Sequence, residues 1–277
     1  MAPRHSSSPA HPARGGIHVG EWAAEFAGTA FVLLVGLSAV CLDFGPRSPV
    51  RGLLPSTSAR LLLTGLLFAG SGSLVALSPL GRLSGAHLNP VVTLAFWLRG
   101  AVHPHDLAGY VAAQLAGAAA GTLTMALLWG PTARSVAYGA TVPQPGVGVA
   151  GALVAEVVMT ALLVGTILAM VSSTRTARWT PLVVWILAAT LVWQGARFSG
   201  TGLNPARSLW ADLLAGRASI YWVYAVGPML GSAVAVGVSR LAMGRVGPLT
   251  AKLFHDPAYP SVFRSLLPTA DRPGPQV

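Results

Sequence analysis

Ser84-Gly85-Ala86-His87-Leu88-Asn89-Pro90-Val91 decides the reading of this chain, because its frame recurs as Ser199-Gly200-Thr201-Gly202-Leu203-Asn204-Pro205-Ala206. Asn-Pro occurs at these two places only. Pro suits the first position of a helix, where the missing amide hydrogen would have had no intrahelical partner. Asn immediately before it is a strong N-cap. Each box therefore starts a helix. The apolar runs that follow, Pro90 to Leu98 and Pro205 to Leu214, reach only about 15 Å as helices. A hydrocarbon core is about 30 Å thick, so two such rods placed end to end match one membrane.

Outward from the boxes lie six longer apolar stretches, near 21–42, 59–79, 106–129, 149–172, 180–197 and 219–242, each long enough to span. The composition agrees: 53% of residues are hydrophobic and 9% charged, against about 25% charged in a soluble domain. The formal charge of +10 is scattered over loops and tails, which favours membrane topology over nucleic acid as its cause. All but one of the 18 bases are Arg. With the N-terminus inside, 11 of those 18 fall on cytoplasmic segments, so both termini are expected in the cytoplasm. Residues 1–19 read as a polar, disordered tail and residues 246–277 as a second tail, Pro-rich and on the surface. Cys41 stands alone and supports neither a disulfide nor a metal site.

The duplication runs beyond the boxes. Ala24-Glu25 with Thr29 opens the first span, and Ala155-Glu156 with Thr160 opens the fourth. Tyr110, Gln114 and Gly117 in the third span find Tyr224, Pro228 and Gly231 in the sixth. Each repeat, 20–130 and 148–242, holds three spans and one short helix. An odd number of crossings turns the second copy upside down. The expected fold is an all-α membrane protein with six transmembrane helices and two re-entrant half-helices in an inverted repeat, its shared site near the midplane.

Irregular backbone at membrane depth survives only where it is buried in protein or lines a wet cavity. Asn89 and Asn204 are therefore expected to present amide NH2 groups to a lumen. The half-helix N-termini add roughly half a positive charge each, a field that repels protons and cations but admits neutral solutes. Glu25 and Glu156, acids inside spans, cost roughly 2.5–3.5 kcal/mol each unless compensated. Their matched positions predict that each braces a re-entrant loop by accepting its N–H groups, and His87 is read as a further brace. A proton-coupling role in a secondary transporter is the alternative for the two acids. Arg207 is placed at the pore, with a snorkelling surface Arg as its alternative. No nucleophile–base pair, phosphate loop or metal-ligand cluster is apparent, so neither an enzyme nor a cofactor is expected; a non-transporting scaffold is the remaining class.

The segments 84–93 and 199–208 closely resemble the signature loops of the major intrinsic proteins, the aquaporins and aquaglyceroporins. The resemblance extends over roughly 20–242 and implies a homotetramer of independent pores in the plasma (inner) membrane, passing water and small neutral solutes. It also implies an outer selectivity filter at Ala69, Val192, Thr201 and Arg207. Ala69 and Val192 make that ring wider and less polar than in water-selective members. Such a ring is similar to those of plant nodulin-like intrinsic proteins passing glycerol, urea, boric acid or arsenite. Two departures stand out: Val91 where the box usually has Ala, and Arg197 where Pro is common.

Overall fold

Every apolar stretch long enough to span is helical in the computed structural model, which describes residues 15–244 and 247–269. The six spans are α1 (Val19–Phe44), α2 (Thr57–Leu77), α4 (Pro104–Trp129), α5 (Gly148–Met170), α6 (Thr180–Ser199) and α8 (Tyr221–Met243). Each is long and apolar enough to cross a membrane. The two half-helices are α3 (Pro90–Leu98) and α7 (Pro205–Leu214). In both, Pro occupies the first turn and the Asn side chain accepts a hydrogen bond from its own helix, Val91 N–H at one end and Ala206 N–H at the other. The chain needs no strand: within a bilayer a helix satisfies its own backbone.

Packing repeats the sequence duplication. α1 lies against α4 as α5 lies against α8, and α2 pairs with α6 across the two repeats. The half-helices cross over, α3 packing on α8 and α7 on α4, so each repeat is buttressed by the other. Close approach is built in at matched positions. A Cβ on Gly117 would sit 2.3 Å from the Phe26 carbonyl oxygen, and one on Gly231 2.5 Å from that of Val157. Without a hydrophobic force between helices in lipid, such contacts carry the association. Side chains left exposed on the outside are apolar in rows, as with Val154, Val158 and Leu162 on α5.

Residues 247–269 depart from the expected surface tail, while 246 and 270–277 lie outside the described residues. Ala251, Lys252 and Phe263 are fully buried, and the segment lies against the first re-entrant loop. Proline and the lack of periodicity exclude a helix here, but not packing. The backbone finds partners instead: Leu253 N–H donates to Gly85 O, Leu249 N–H to Val171 O and Leu266 N–H to Leu249 O. At the other end α1 begins at Val19, one residue inside the expected tail, and residues 1–14 lie outside the described residues.

Candidate functional site

The two loops that precede the half-helices share an uncommon backbone. Gly85, Ala86 and Leu88 have positive φ, and so do Gly200, Thr201 and Leu203. Non-glycine residues held there cost of order 1–3 kcal/mol each and persist only when the surroundings over-determine them. The surroundings are the two buried glutamates. Glu25 accepts from Ser84 Oγ at 2.7 Å, His87 N at 3.0 Å, Leu88 N at 2.7 Å and Gln114 Nε2 at 2.8 Å. Glu156 accepts from Ser199 Oγ at 2.6 Å, Gly202 N at 2.7 Å and Leu203 N at 2.8 Å. Pro228 stands where the first repeat has Gln114, so among the described residues the second carboxylate has three donors where the first has four. Tyr110 and Tyr224 complete the frame, their hydroxyls donating to Ser84 O and Ser199 O.

This bracing sets the polarity of the lumen. A trans peptide holds C=O antiparallel to N–H. With the His87 and Leu88 amides turned to Glu25, the carbonyls of Ala86 and His87 are turned away from it. Thr201 and Gly202 stand in the same relation to Glu156. All four residues line one cavity of about 530 Å3. Its lining includes Leu253 and Pro181, from segments on one face of the molecule, and Phe44 and Ser135, from segments on the other.

Asn89 and Asn204 line its middle. Each side chain is tied down twice. Its Oδ1 caps its own half-helix, at 3.1 Å from Val91 N and 3.0 Å from Ala206 N. Its Nδ2 donates across the pseudo-twofold, Asn89 to Leu203 O and Asn204 to Leu88 O, both at 2.9 Å. The cross-repeat bond uses one amide hydrogen of each NH2 and leaves the other for the cavity. Neighbouring backbone thus holds both amides, but the backbone is that of the opposite repeat, a partner the motif alone does not disclose.

Ala69, Val192, Thr201 and Arg207 line the same cavity. Arg207 is 8% exposed; its Nη1 donates to Gly139 O at 2.8 Å, and its guanidinium lies 5.6 Å from the centre of the Phe68 ring. It is therefore fixed inside the protein and does not snorkel. Phe68, Gly139 and Thr141 went unread in the sequence. Phe68 lines the same cavity and turns its ring to the Arg207 guanidinium. Asp212 of α7 accepts from Thr141 N–H at 2.9 Å, which anchors the inter-repeat loop and with it the Gly139 carbonyl. An acid inside an apolar half-helix was the one signal available for this anchor.

The remaining positions divide. Val91 and Ala206 are completely buried and do not border the cavity, whereas Val92, the counterpart of Arg207, does. The extra bulk of Val91 is thus absorbed in packing. Arg197 is exposed and stacks on Phe198, with 4.9 Å from guanidinium to ring centre, away from the lumen. His87 braces on two sides: Nδ1 lies 3.1 Å from Thr93 Oγ1, and Nε2 donates to Ala251 O at 2.7 Å. Its second partner belongs to the C-terminal segment.

Six spans, two half-helices meeting tip to tip and a lined passage between them define a membrane channel, not an enzyme. The family model for the major intrinsic proteins matches residues 17–238, and the chain belongs to that family. It is 33% identical to aquaporin A of Dictyostelium discoideum over 224 residues, covering 78% of this chain and 76% of the relative. It is 30% identical over 227 residues to aquaporin AqpM of Methanothermobacter thermautotrophicus, covering 76% and 92%. Aquaporin NIP1-1 of Zea mays is 31% identical over 211 residues, covering 76% and 70%. The fold is similar to that of the aquaglyceroporin from Plasmodium falciparum, with a TM-score of 0.65, 22% identity and coverage of 79% and 94%.

Proposed function

We propose that the channel conducts water together with small uncharged solutes of the glycerol, urea and metalloid-acid class (boric acid or arsenite), and excludes protons and ions. The observation that carries this is the reciprocal pair of Asn Nδ2 to Leu carbonyl bonds joining the two half-helix tips. It fixes two donors at the meeting point of two positive helix ends. A passing oxygen finds hydrogen bonds there, while a cation finds none of the acceptors it needs and an opposing field. The selectivity filter is assigned to Ala69, Val192, Thr201 and Arg207, with small side chains leaving room beside the fixed guanidinium. Glu25, Glu156 and His87 hold the loops in place. Both glutamates already have donors on each carboxylate oxygen, which favours bracing over proton coupling.

The functional unit is residues 20–242, with repeats 20–130 and 148–242. It works as a homotetramer of independent pores in the plasma (inner) membrane, both termini cytoplasmic. The even number of spans and the 11 of 18 bases on that side support the orientation.

Stopped-flow shrinkage of proteoliposomes in gradients of glycerol, urea and boric acid, with a proton-leak control, tests the assignment. Ala69→Trp and Val192→His are expected to lower glycerol and boric acid flux at least tenfold while water flux falls less. Equal loss of all fluxes would remove these residues from the filter, and saturable flux coupled to a proton gradient would replace the channel with a transporter.

A further inference from the structure

Three titratable side chains, His18 and the distant neighbours His105 and Asp106, converge on the face of the molecule where α1 and α4 begin. Asp106, in the first turn of α4, is fully buried. His18, the N-cap residue of α1, brings Nδ1 to 2.9 Å and 3.0 Å from its two carboxylate oxygens. His105 brings Nε2 to 3.4 Å. Donor atoms of the three residues all lie within 4.8 Å of one another. Beside them stands His103, stacked on His105 with ring centres 5.1 Å apart, its Nε2 buried with no hydrogen-bond partner among the described residues.

A buried carboxylate needs compensation. Among the described residues, the ion pairs of Asp106 are with His18 and His105 alone, and neither carries a permanent charge. No Lys or Arg takes that place. The other direct contact is Trp22 Nε1, which donates to Oδ1 at 3.1 Å. Its indole sits where Gly109 leaves room, since a Cβ there would fall 2.1 Å from the ring. Carboxylates that ligate metals are oriented by outer hydrogen bonds of this kind.

We propose that His18, His105 and Asp106 bind one borderline transition-metal dication of the Zn2+ class, with His103 as the nearby fourth donor. The donor chemistry selects the metal. Two or three imidazoles and one carboxylate suit Zn2+, Co2+ or Ni2+, while Ca2+ and Mg2+ require mostly oxygen. The distances fit as well. Tetrahedral Zn2+ with ligands at about 2.0–2.1 Å separates its donors by about 3.4 Å. The His105 separation from Asp106, 3.4 Å, matches that value, the His18 separations of 2.9 Å and 3.0 Å fall below it, and the three donors spread no further than 4.8 Å. His105 is 41% exposed and free to close the remaining distance. The ion would staple the first residues of α1 to those of α4, the two spans packed most closely in the first repeat, without entering the pore.

The test uses the full-length protein, purified without a polyhistidine tag and titrated with ZnCl2 against a chromophoric chelator. One Zn2+ per chain is expected, with a Kd of about 10 μM or tighter and a Tm in detergent that rises with zinc concentration. His105→Ala, a substitution at an exposed side chain, should weaken binding at least tenfold while leaving size-exclusion behaviour unchanged. His18→Ala should do the same. Bound Co2+ should give visible ligand-field absorption that both variants abolish. The proposal is overturned if no zinc binds below about 1 mM, or if His18→Ala and His105→Ala bind as the parent does. It also falls if binding persists in those variants and is lost in His5→Ala/His11→Ala, which would place the ion on the N-terminal tail.

Discussion

At the scale of single residues, the two glutamates carry the heaviest local load. Glu156 satisfies two loop amides and a serine hydroxyl that have no water to turn to. Glu156→Gln keeps the shape but exchanges one acceptor for a donor, so an amide or hydroxyl is left facing an NH2. Each buried group unpaired in this way costs about 1–3 kcal/mol. The expected result is a lower Tm in detergent and reduced flux of every solute together; normal stability with altered proton flux would instead indicate coupling chemistry. Phe68→Ala is expected to act differently. It removes a ring that contributes about 0.5–1 kcal/mol to holding Arg207 and widens the lumen, so permeation of a polyol larger than glycerol should rise with little loss of fold. Legibility at this scale follows from duplication. Glu25 and Glu156 stood out because each copy vouched for the other. Phe68 and Gly139 have no repeat-mate in the motif, and the Gly139 carbonyl is backbone that no residue type announces.

Among the elements, the helices were readable almost to the residue, because span length is set by the bilayer and Pro fixes the start of each half-helix. The C-terminal segment was not. Its composition resembles a tail, and its order arises from contacts with Gly85, Val171 and His87 that lie far away in sequence. Lys252, the only Lys in the chain, is its buried charge, with Nζ donating to Arg82 O at 2.5 Å and Tyr259 O at 3.1 Å. Burial lowers its ammonium from the ordinary 10.5 to about 8. The undocked segment therefore holds this proton more firmly than the docked one. Below about pH 8 both states keep it and the full cost of burying the charge applies. From about pH 8 to 10.5 the docked form releases it and docking strengthens, levelling off above, with a ceiling of about 3 kcal/mol. Hydrogen exchange of residues 247–269 should slow across that window, after correction for intrinsic rates. Lys252→Met should flatten the dependence. Between spans, Gly117→Val and Gly231→Val should be comparably destabilising, by about 1–3 kcal/mol or more, because each places a side chain against the matching backbone carbonyl.

The whole molecule obeys one constraint that ties topology to chemistry: six spans return the chain to the face it left. The described C-terminal segment bonds to the loop before α3, and His18 bonds to the start of α4, so both ends of the described chain share a face with the approach to the first half-helix. The loop carrying Gly139 and Thr141 lies at the opposite end, with Arg207. Repeat symmetry made this legible, whereas the meeting of His18 with Asp106 depends on how α1 and α4 pack and left no sequence signal. The even number of spans puts both termini on one side, the charge bias selects the cytoplasmic one, and one native feature makes that choice measurable. Cys41 is 1% exposed and lies 3.7 Å from Met125 Sδ, so a membrane-impermeant maleimide should leave the parent protein unlabelled. Ala258→Cys and Pro145→Cys then each add one exposed thiol, on opposite faces. With cytoplasmic termini, Pro145→Cys is labelled in intact cells and Ala258→Cys only after permeabilisation. The reverse pattern would invert the molecule in the membrane and place Arg207 at the inner mouth, while labelling of both in intact cells would contradict the six-span topology itself.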